Sequence, residues 1–178
     1  RAEALEIEVQ RFSTDLYLDP AVYAAISSVA ADGLDADARR LQAKVAQSFR
    51  RSGVDRDESV RQRVRELEAT LTELGQTFSR NIRDGRSETR VPATALDGLP
   101  DDFVQSHPAD PDGLVTITTE YPDVMPFLAF ATDAAARRAV AHTFFNIAWP
   151  GNDAVLADLL RVRHELATLL GYATWADY

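Results

Sequence analysis

The 178 residues amount to about one domain, and their 46% apolar and 26% charged composition, with only 8 Gly and 8 Pro, excludes wholesale disorder and collagen-like structure. There is no cysteine, so disulfides, thiolate metal sites and cysteine nucleophiles are excluded as well. A net charge of −9 argues against general affinity for nucleic acid or anionic membrane, and no stretch approaches the roughly 18 uncharged apolar residues of a membrane span. A cytoplasmic protein is the expectation. The chain opens at Arg1 without an initiator Met and stops inside a predicted helix start, which is expected of a fragment of a longer protein.

Residues 1–16 place Leu5, Val9, Phe12 and Leu16 at spacings of four, three and four, the stripe of an amphipathic helix. Asp19-Pro20 supplies an acidic N-cap and a proline at the first helical position, and Val22, Tyr23, Ile26 and Val29 carry a second helix toward Gly33. Leu34, Ala38, Leu41, Val45 and Phe49 predict a third, closed by Ser52-Gly53. The strongest periodicity is Val60, Val64, Leu67, Leu71, Leu74, Phe78 and Ile82, which predicts a helix over residues 55–84. The short link after Ser52 favours an antiparallel hairpin in which the third and fourth stripes face each other. Gly75 inside the longer arm is expected to mark a close helix crossing.

Residues 86–131 change character and hold most of the prolines. Glu88 to Val91, Leu114 to Thr119 and Phe127 to Ala131 are rich in β-branched or aromatic residues and predict a sheet of two or three strands. Pro100 or Asp101 can open a short helical turn between the first two. Thr132-Asp133 caps a helix carrying Val140, Phe144 and Ile147, ended by Pro150-Gly151. Asn152 is expected to cap the next, whose apolar residues from Val155 to Leu170 make it the most buried element. Thr174 then caps a helix that has only begun at Tyr178. The expected fold is mostly α: an antiparallel helical bundle with a long hairpin and a small sheet insertion. It is a single domain over 1–178, with helices and hairpin in 1–84, loop and sheet in 85–131, a helix pair in 132–171 and a helix start in 172–178.

Charge is blocked along the chain: residues 1–38 carry 2 bases and 8 acids, 39–90 carry 13 and 8, 91–135 carry 0 and 8, and 136–178 carry 4 and 4. Neutralisation across the folded surface is the expected outcome. An RNA-binding stripe is disfavoured because Phe49 and Phe78 fall on apolar helix faces, leaving no interleaved aromatics to stack bases.

Only three histidines could serve as ligands or bases. His164-Glu165-Leu166-Ala167-Thr168 approaches the His-Glu-x-x-His pattern, in which two imidazoles one helical turn apart hold zinc, but Thr168 stands where the second imidazole is needed. His164 is therefore expected on a polar face, His142 in a structural role and His107, beside Pro108, in solvent. No Gly-x-Ser-x-Gly elbow or Gly-rich phosphate loop occurs, and paired acids such as Asp101-Asp102 or Glu66 with Glu68 are too common in an acidic chain to assign. Arg137, Arg138, Arg161 and Arg163 are expected in structural ion pairs, and Tyr172, Trp175 and Tyr178 on an interdomain surface. No catalytic, cofactor-binding or metal-binding residue is assigned.

The order of landmarks carries more. Phe49-Arg50-Arg51-Ser52-Gly53, the stripe through Leu67, Leu71, Leu74, Phe78, Asn81 and Ile82, and Leu96-Asp97-Gly98-Leu99-Pro100-Asp101 come first. Tyr121-Pro122-Asp123-Val124-Met125-Pro126, Arg138, Asn152 and the run from Leu160 to Tyr172 follow. Together they resemble the N-terminal region of the thimet oligopeptidase family of zinc metallopeptidases, over nearly the whole chain. Ala148-Trp149-Pro150-Gly151 departs from the more polar, arginine-containing stretch of that family. The resemblance implies a helical, non-catalytic wall of a channel that admits short peptides. It also implies a downstream catalytic domain in which zinc activates a water for peptide hydrolysis. Zinc is thus implied for the parent and no cofactor for these residues; the expected partners are the downstream domain and short peptides, with no nucleic acid and no membrane. The alternative is a stand-alone helical adaptor or interaction module.

Overall fold

The computed structural model describes residues 1–178, with the side chain of Ala31 left aside. Eight helices and one two-stranded sheet follow in the order α1 (Ala2–Tyr17), α2 (Pro20–Ser27), α3 (Ala36–Ser52), α4 (Glu58–Asp84), β1 (Glu88–Pro92), α5 (Asp101–Ser106), β2 (Leu114–Thr118), α6 (Tyr121–Phe130), α7 (Ala134–Phe145) and α8 (Gly151–Leu169). They form two compact units, one of residues 1–77 with 155–178 and one of residues 78–154.

The first unit is a set of helices held by their ends and by one core. The Asp19 carboxylate accepts from the backbone N–H groups of Ala21 and Val22, and Asp35 from that of Ala38, satisfying donors that a helix start leaves without partners. α2 stops at Ser27, short of Gly33; Gln42 Nε2 donates to the carbonyl of Ile26 in its last turn and to that of Val29 just beyond it. Gly53 closes α3 at φ +94°, a left-handed cap that residues with a Cβ resist. The core joins Leu18, Val64 and Leu67 to Val162, Leu166 and Leu170.

The partner of α4 in this unit is therefore α8, which corrects the facing stripes expected for α3 and α4. Arg63 Nε and Nη2 donate to Glu165 Oε1 at 2.9 and 2.5 Å across that pair. α3 packs instead on α1 and α2, where buried Phe49 meets Tyr17 at 4.9 Å and Tyr23 at 6.0 Å between ring centroids. The physical reason is symmetry of pattern: a near-heptad stripe accepts any apolar helix face, and spacing cannot say which. Gly75 marks no crossing, since a Cβ built there would meet nothing within 4 Å. The stripe of α1 is likewise misplaced by its periodicity, because Leu5, Val9, Phe12 and Leu16 are all exposed.

The second unit builds its core on the sheet. β1 and β2 pair antiparallel with Val91 opposite Val115 and Thr89 opposite Ile117. Val91, Val115 and Ile117 are buried, and Leu96, Leu99, Phe103, Val124, Phe127 and Val140 pack in the same cluster. The third strand expected at Phe127 to Ala131 is instead the second half of α6. Its buried positions, Val124 and Phe127, and the buried C-cap Ala131 recur at three and four, so burial follows the helical period, and Pro122 lies in the first turn, where its missing N–H costs nothing. α5 fulfils the helical turn expected at Asp101.

Asn152 is a further correction. It lies within the first turn of α8 as a buried side chain, and its amide reaches away from the helix: Nδ2 donates to the Phe78 carbonyl at 3.1 Å, while Oδ1 accepts from Asn81 Nδ2 at 2.8 Å. A buried amide held on both ends fixes its neighbours more strictly than an apolar contact would. Among the described residues no helix is long and apolar enough to cross a membrane.

Candidate functional site

Three surface features gather polar or aromatic side chains, and each lies within one unit. The first is a cleft of about 260 Å³ between α1 and α4, lined by Ile7, Gln10, Arg11, Thr14, Asp15, Arg65, Ala69, Thr72 and Glu73. Its charges are engaged: Arg65 Nε donates to Asp15 at 3.1 Å and Arg65 Nη1 to Glu58 at 3.1 Å. Gln76, buried beyond it, donates to the carbonyl of Glu3 and to Glu6 Oε2, tying α1 to α4. At the base of this helix Arg61 and Arg65 hold the Glu58 carboxyl below its ordinary range through hydrogen bonds.

The second feature centres on His107 in the other unit. Its ring stacks on Phe103 at 4.0 Å, and its side chain is 13% exposed, so the solvent position expected for it is corrected. The backbone carbonyl of Phe103 lies 2.8 Å from Nδ1 and can only accept, so Nδ1 carries the hydrogen. Nε2 lies 3.4 Å from Asp123 Oδ1. Ser106 Oγ also donates to the Phe103 carbonyl at 2.9 Å, and the other oxygen of Asp123 accepts from the Thr118 hydroxyl. Serine, histidine and aspartate thus stand together without forming a relay, since the nitrogen facing the serine is a donor and the serine proton already has an acceptor. A groove of about 360 Å³ beside them is walled by Pro100, Pro122, Pro126 and Phe130.

The third feature is the cluster at the end of the chain. Tyr178 meets Tyr172 at 5.2 Å and Trp175 at 5.1 Å, while the Arg51 and Arg163 guanidiniums lie over Tyr178 and Trp175 at 5.6 and 5.4 Å. Tyr172 and Tyr178 pack against the core of their own unit. Burial, then the negative charge of Glu68, raises the Tyr178 hydroxyl above its ordinary pKa, and burial raises the Glu68 carboxyl. Thr174 and Asp177 bond reciprocally, Asp177 N–H to Thr174 Oγ1 and Thr174 N–H to Asp177 Oδ2, closing a turn where the sequence predicts a helix start.

The remaining sequence candidates disperse. His164 and Thr168 lie on the exposed face of α8, and Glu165 between them is bound to Arg63. His142 is exposed. Arg161 pairs with Asp158 at 3.0 Å, Arg137 donates to the Ala131 carbonyl, and Arg138 is exposed. Among the described residues no three His, Cys, Asp or Glu side chains come together as a metal could require. One imidazole beside an occupied glutamate does not fit zinc, which takes three or four protein ligands. The basic residues of 39–90 meet acids of several blocks, as in Arg63 with Glu66 and Arg90 with Asp110.

No protein-family model matches the chain. Curated proteins do. Saccharolysin of Saccharomyces cerevisiae is 29% identical over 154 residues, covering 83% of this chain and 22% of saccharolysin. Oligopeptidase A of Haemophilus influenzae is 30% identical over 145 residues, 72% of this chain and 21% of that protein. The chain is related to the thimet oligopeptidases. The probable thimet oligopeptidase of Arabidopsis thaliana agrees at 28% over 159 residues, 88% of this chain. The chain spans about a fifth of the length of these thimet-family relatives.

Proposed function

We propose that these residues are a non-catalytic helical segment of a zinc-dependent oligopeptidase, forming one wall of a channel that admits short peptides, in a parent that hydrolyses peptide bonds in the cytoplasm. The observation that carries this reading is the pairing of broad coverage here with narrow coverage there: 83% of this chain aligns with only 22% of saccharolysin. A scaffold role also suits the α1–α4 cleft, whose Arg65 is bonded to Asp15, and the Ser106-His107-Asp123 gathering, whose serine and Nδ1 protons are committed to the Phe103 carbonyl. In this role the segment supplies shape and exclusion by size, and the metal ligands belong to the following part of the parent.

The test has two arms. The reading frame beyond Tyr178 is translated and searched for His-Glu-x-x-His, and both the 178-residue chain and the longer product are assayed for bound zinc and for cleavage of a quenched fluorescent peptide. The expected result is zinc and cleavage in the longer product and neither in the shorter. One tightly held zinc per 178-residue chain, or a longer frame without the motif, overturns the proposal.

A further inference from the structure

His107 is held between two helices with a hydrogen-bond acceptor on each side. It is the residue that follows α5, its ring lies on that of Phe103 at 4.0 Å, and its side chain is 13% exposed. The Phe103 carbonyl of α5 lies 2.8 Å from Nδ1, and Asp123 Oδ1, in the first turn of α6, lies 3.4 Å from Nε2. Asp123 is itself fixed, because its other oxygen accepts from the hydroxyl and the N–H of Thr118, the last residue of β2. A carbonyl offers no hydrogen, and neither does an ionised carboxylate.

Each neutral form of the ring therefore sets one lone pair against another. With the hydrogen on Nδ1, bare Nε2 faces the Asp123 carboxylate. With it on Nε2, bare Nδ1 faces the Phe103 carbonyl at 2.8 Å. The Ser106 hydroxyl, 3.1 Å from Nδ1, can turn to the ring only by giving up its 2.9 Å bond to that same carbonyl, which then still faces a lone pair. The imidazolium carries a hydrogen on both nitrogens and satisfies both acceptors at once, with a charge-assisted contact to Asp123.

The surrounding charges agree in sign. Asp102 on α5 lines the same groove; Glu120, just ahead of α6, is paired with Arg86, and Asp110, in the loop after His107, with Arg90. Among the described residues no Lys or Arg lines that groove of about 360 Å³. Phe103 stands on its α5 side and Pro122, Pro126 and Phe130 on its α6 side, so the contact from His107 to Asp123 joins its two walls. We infer that His107 is a pH-sensitive latch between α5 and α6: charged, it ties the end of α5 to Asp123 and holds the groove together; neutral, it releases α5. The sign follows from which form is bonded. The tie is complete in acid and is lost as pH rises through the range in which an imidazole gives up its proton, roughly pH 5 to 8. All of its parts lie in one unit, so the latch does not depend on the proposed peptidase role.

Hydrogen exchange in α5 reads the latch directly. The N–H groups of Val104 and His107 donate to the carbonyls of Pro100 and Val104, and their exchange in the 178-residue chain is compared with the intrinsic rate of an unfolded amide at each pH. Protection is expected to fall about tenfold between about pH 5.5 and about pH 8. An NMR titration of the ring nitrogens should show the fall following His107, and not the exposed His142 and His164. Asp123→Asn separates the latch from ordinary packing. An amide there can donate to bare Nε2 and still accept from Thr118, so protection on the alkaline side should equal or exceed that in acid. His107→Gln, with no titrating ring, should give protection that does not change with pH. Flat protection in the unaltered chain overturns the inference, as does a fall that tracks His142 or His164, or the same tenfold fall in either variant. Circular dichroism establishes that each variant is folded; if His107→Gln is not, Asp123→Asn decides.

Discussion

Gly98 is where one methyl group should cost most. Its φ is +90°, and a Cβ there would lie 2.5 Å from the carbonyl oxygen of Phe130 and 2.9 Å from Thr132 Cγ2. The left-handed backbone alone costs a residue with a Cβ about 1–2 kcal/mol. The contact with Phe130 is with backbone at the end of α6, next to buried Ala131, so it cannot be relieved by turning a side chain. Relief requires the 97–99 turn to move away, which breaks the bond from the Thr132 N–H to the Asp97 carbonyl, 2.9 Å long and worth about 1 kcal/mol. Gly98→Ala is therefore expected to lose about 2–4 kcal/mol in all. Gly113→Ala is the control: its φ is +75° with nothing within 4 Å of the added atom, so it should lose only the backbone share. Urea denaturation followed by circular dichroism gives both values, and hydrogen exchange over residues 97–99 and 130–132 locates the loss. Equal losses from the two variants would refute the steric argument.

Gly75→Ala should stabilise the chain by about 1 kcal/mol, since an open site in a helix gains propensity and meets no obstacle; an unchanged or lower thermal midpoint contradicts this. Glu68→Gln should raise stability at neutral pH. The folded state raises the pKa of Glu68, so the penalty for its charged form is complete above that value and disappears as pH falls through it toward 4.5. The gap between Glu68→Gln and the parent chain should accordingly close on acidification, and a constant gap across a pH series would refute the burial cause. Glu58 and Glu66 act in the opposite sense, their lowered values giving stability above 4.5 that is lost in acid, but they are common to both proteins and cancel in the difference. Leu166→Ala removes a fully buried side chain between α4 and α8 and should cost about 2–5 kcal/mol by chemical denaturation; a loss under about 1 kcal/mol would mean that this core can collapse onto the gap.

Local signals were legible and partnerships were not. Asp19-Pro20, Ser52-Gly53 and Asp133 mark helix ends through bonds made within a few residues, and each end lies where those residues put it. The partner of α4 depends on residues about 100 positions away, and no periodicity distinguishes α8 from α3. Phe127 to Ala131 misled because a short apolar run has no period of its own; the helix shows only when Val124 is counted with it. The Asn81–Asn152 bridge gave no sequence signal, and His107 looked solvent-facing because Asp123 and Phe103, which enclose it, are brought together only by the fold.

The Arg56 guanidinium donates to the carbonyl of Leu170 at 2.7 Å, closing the C-terminal end of α8 with a residue 114 positions earlier. Synthesis on the ribosome is directional, so every group needed by the 78–154 unit has emerged before residues 155–178, the last part of the other unit, exist. The interior unit can mature while translation continues; α4 must wait with Val64 and Leu67 uncovered until Val162, Leu166 and Leu170 arrive. Nascent α4 is thus the stretch most in need of a chaperone's attention.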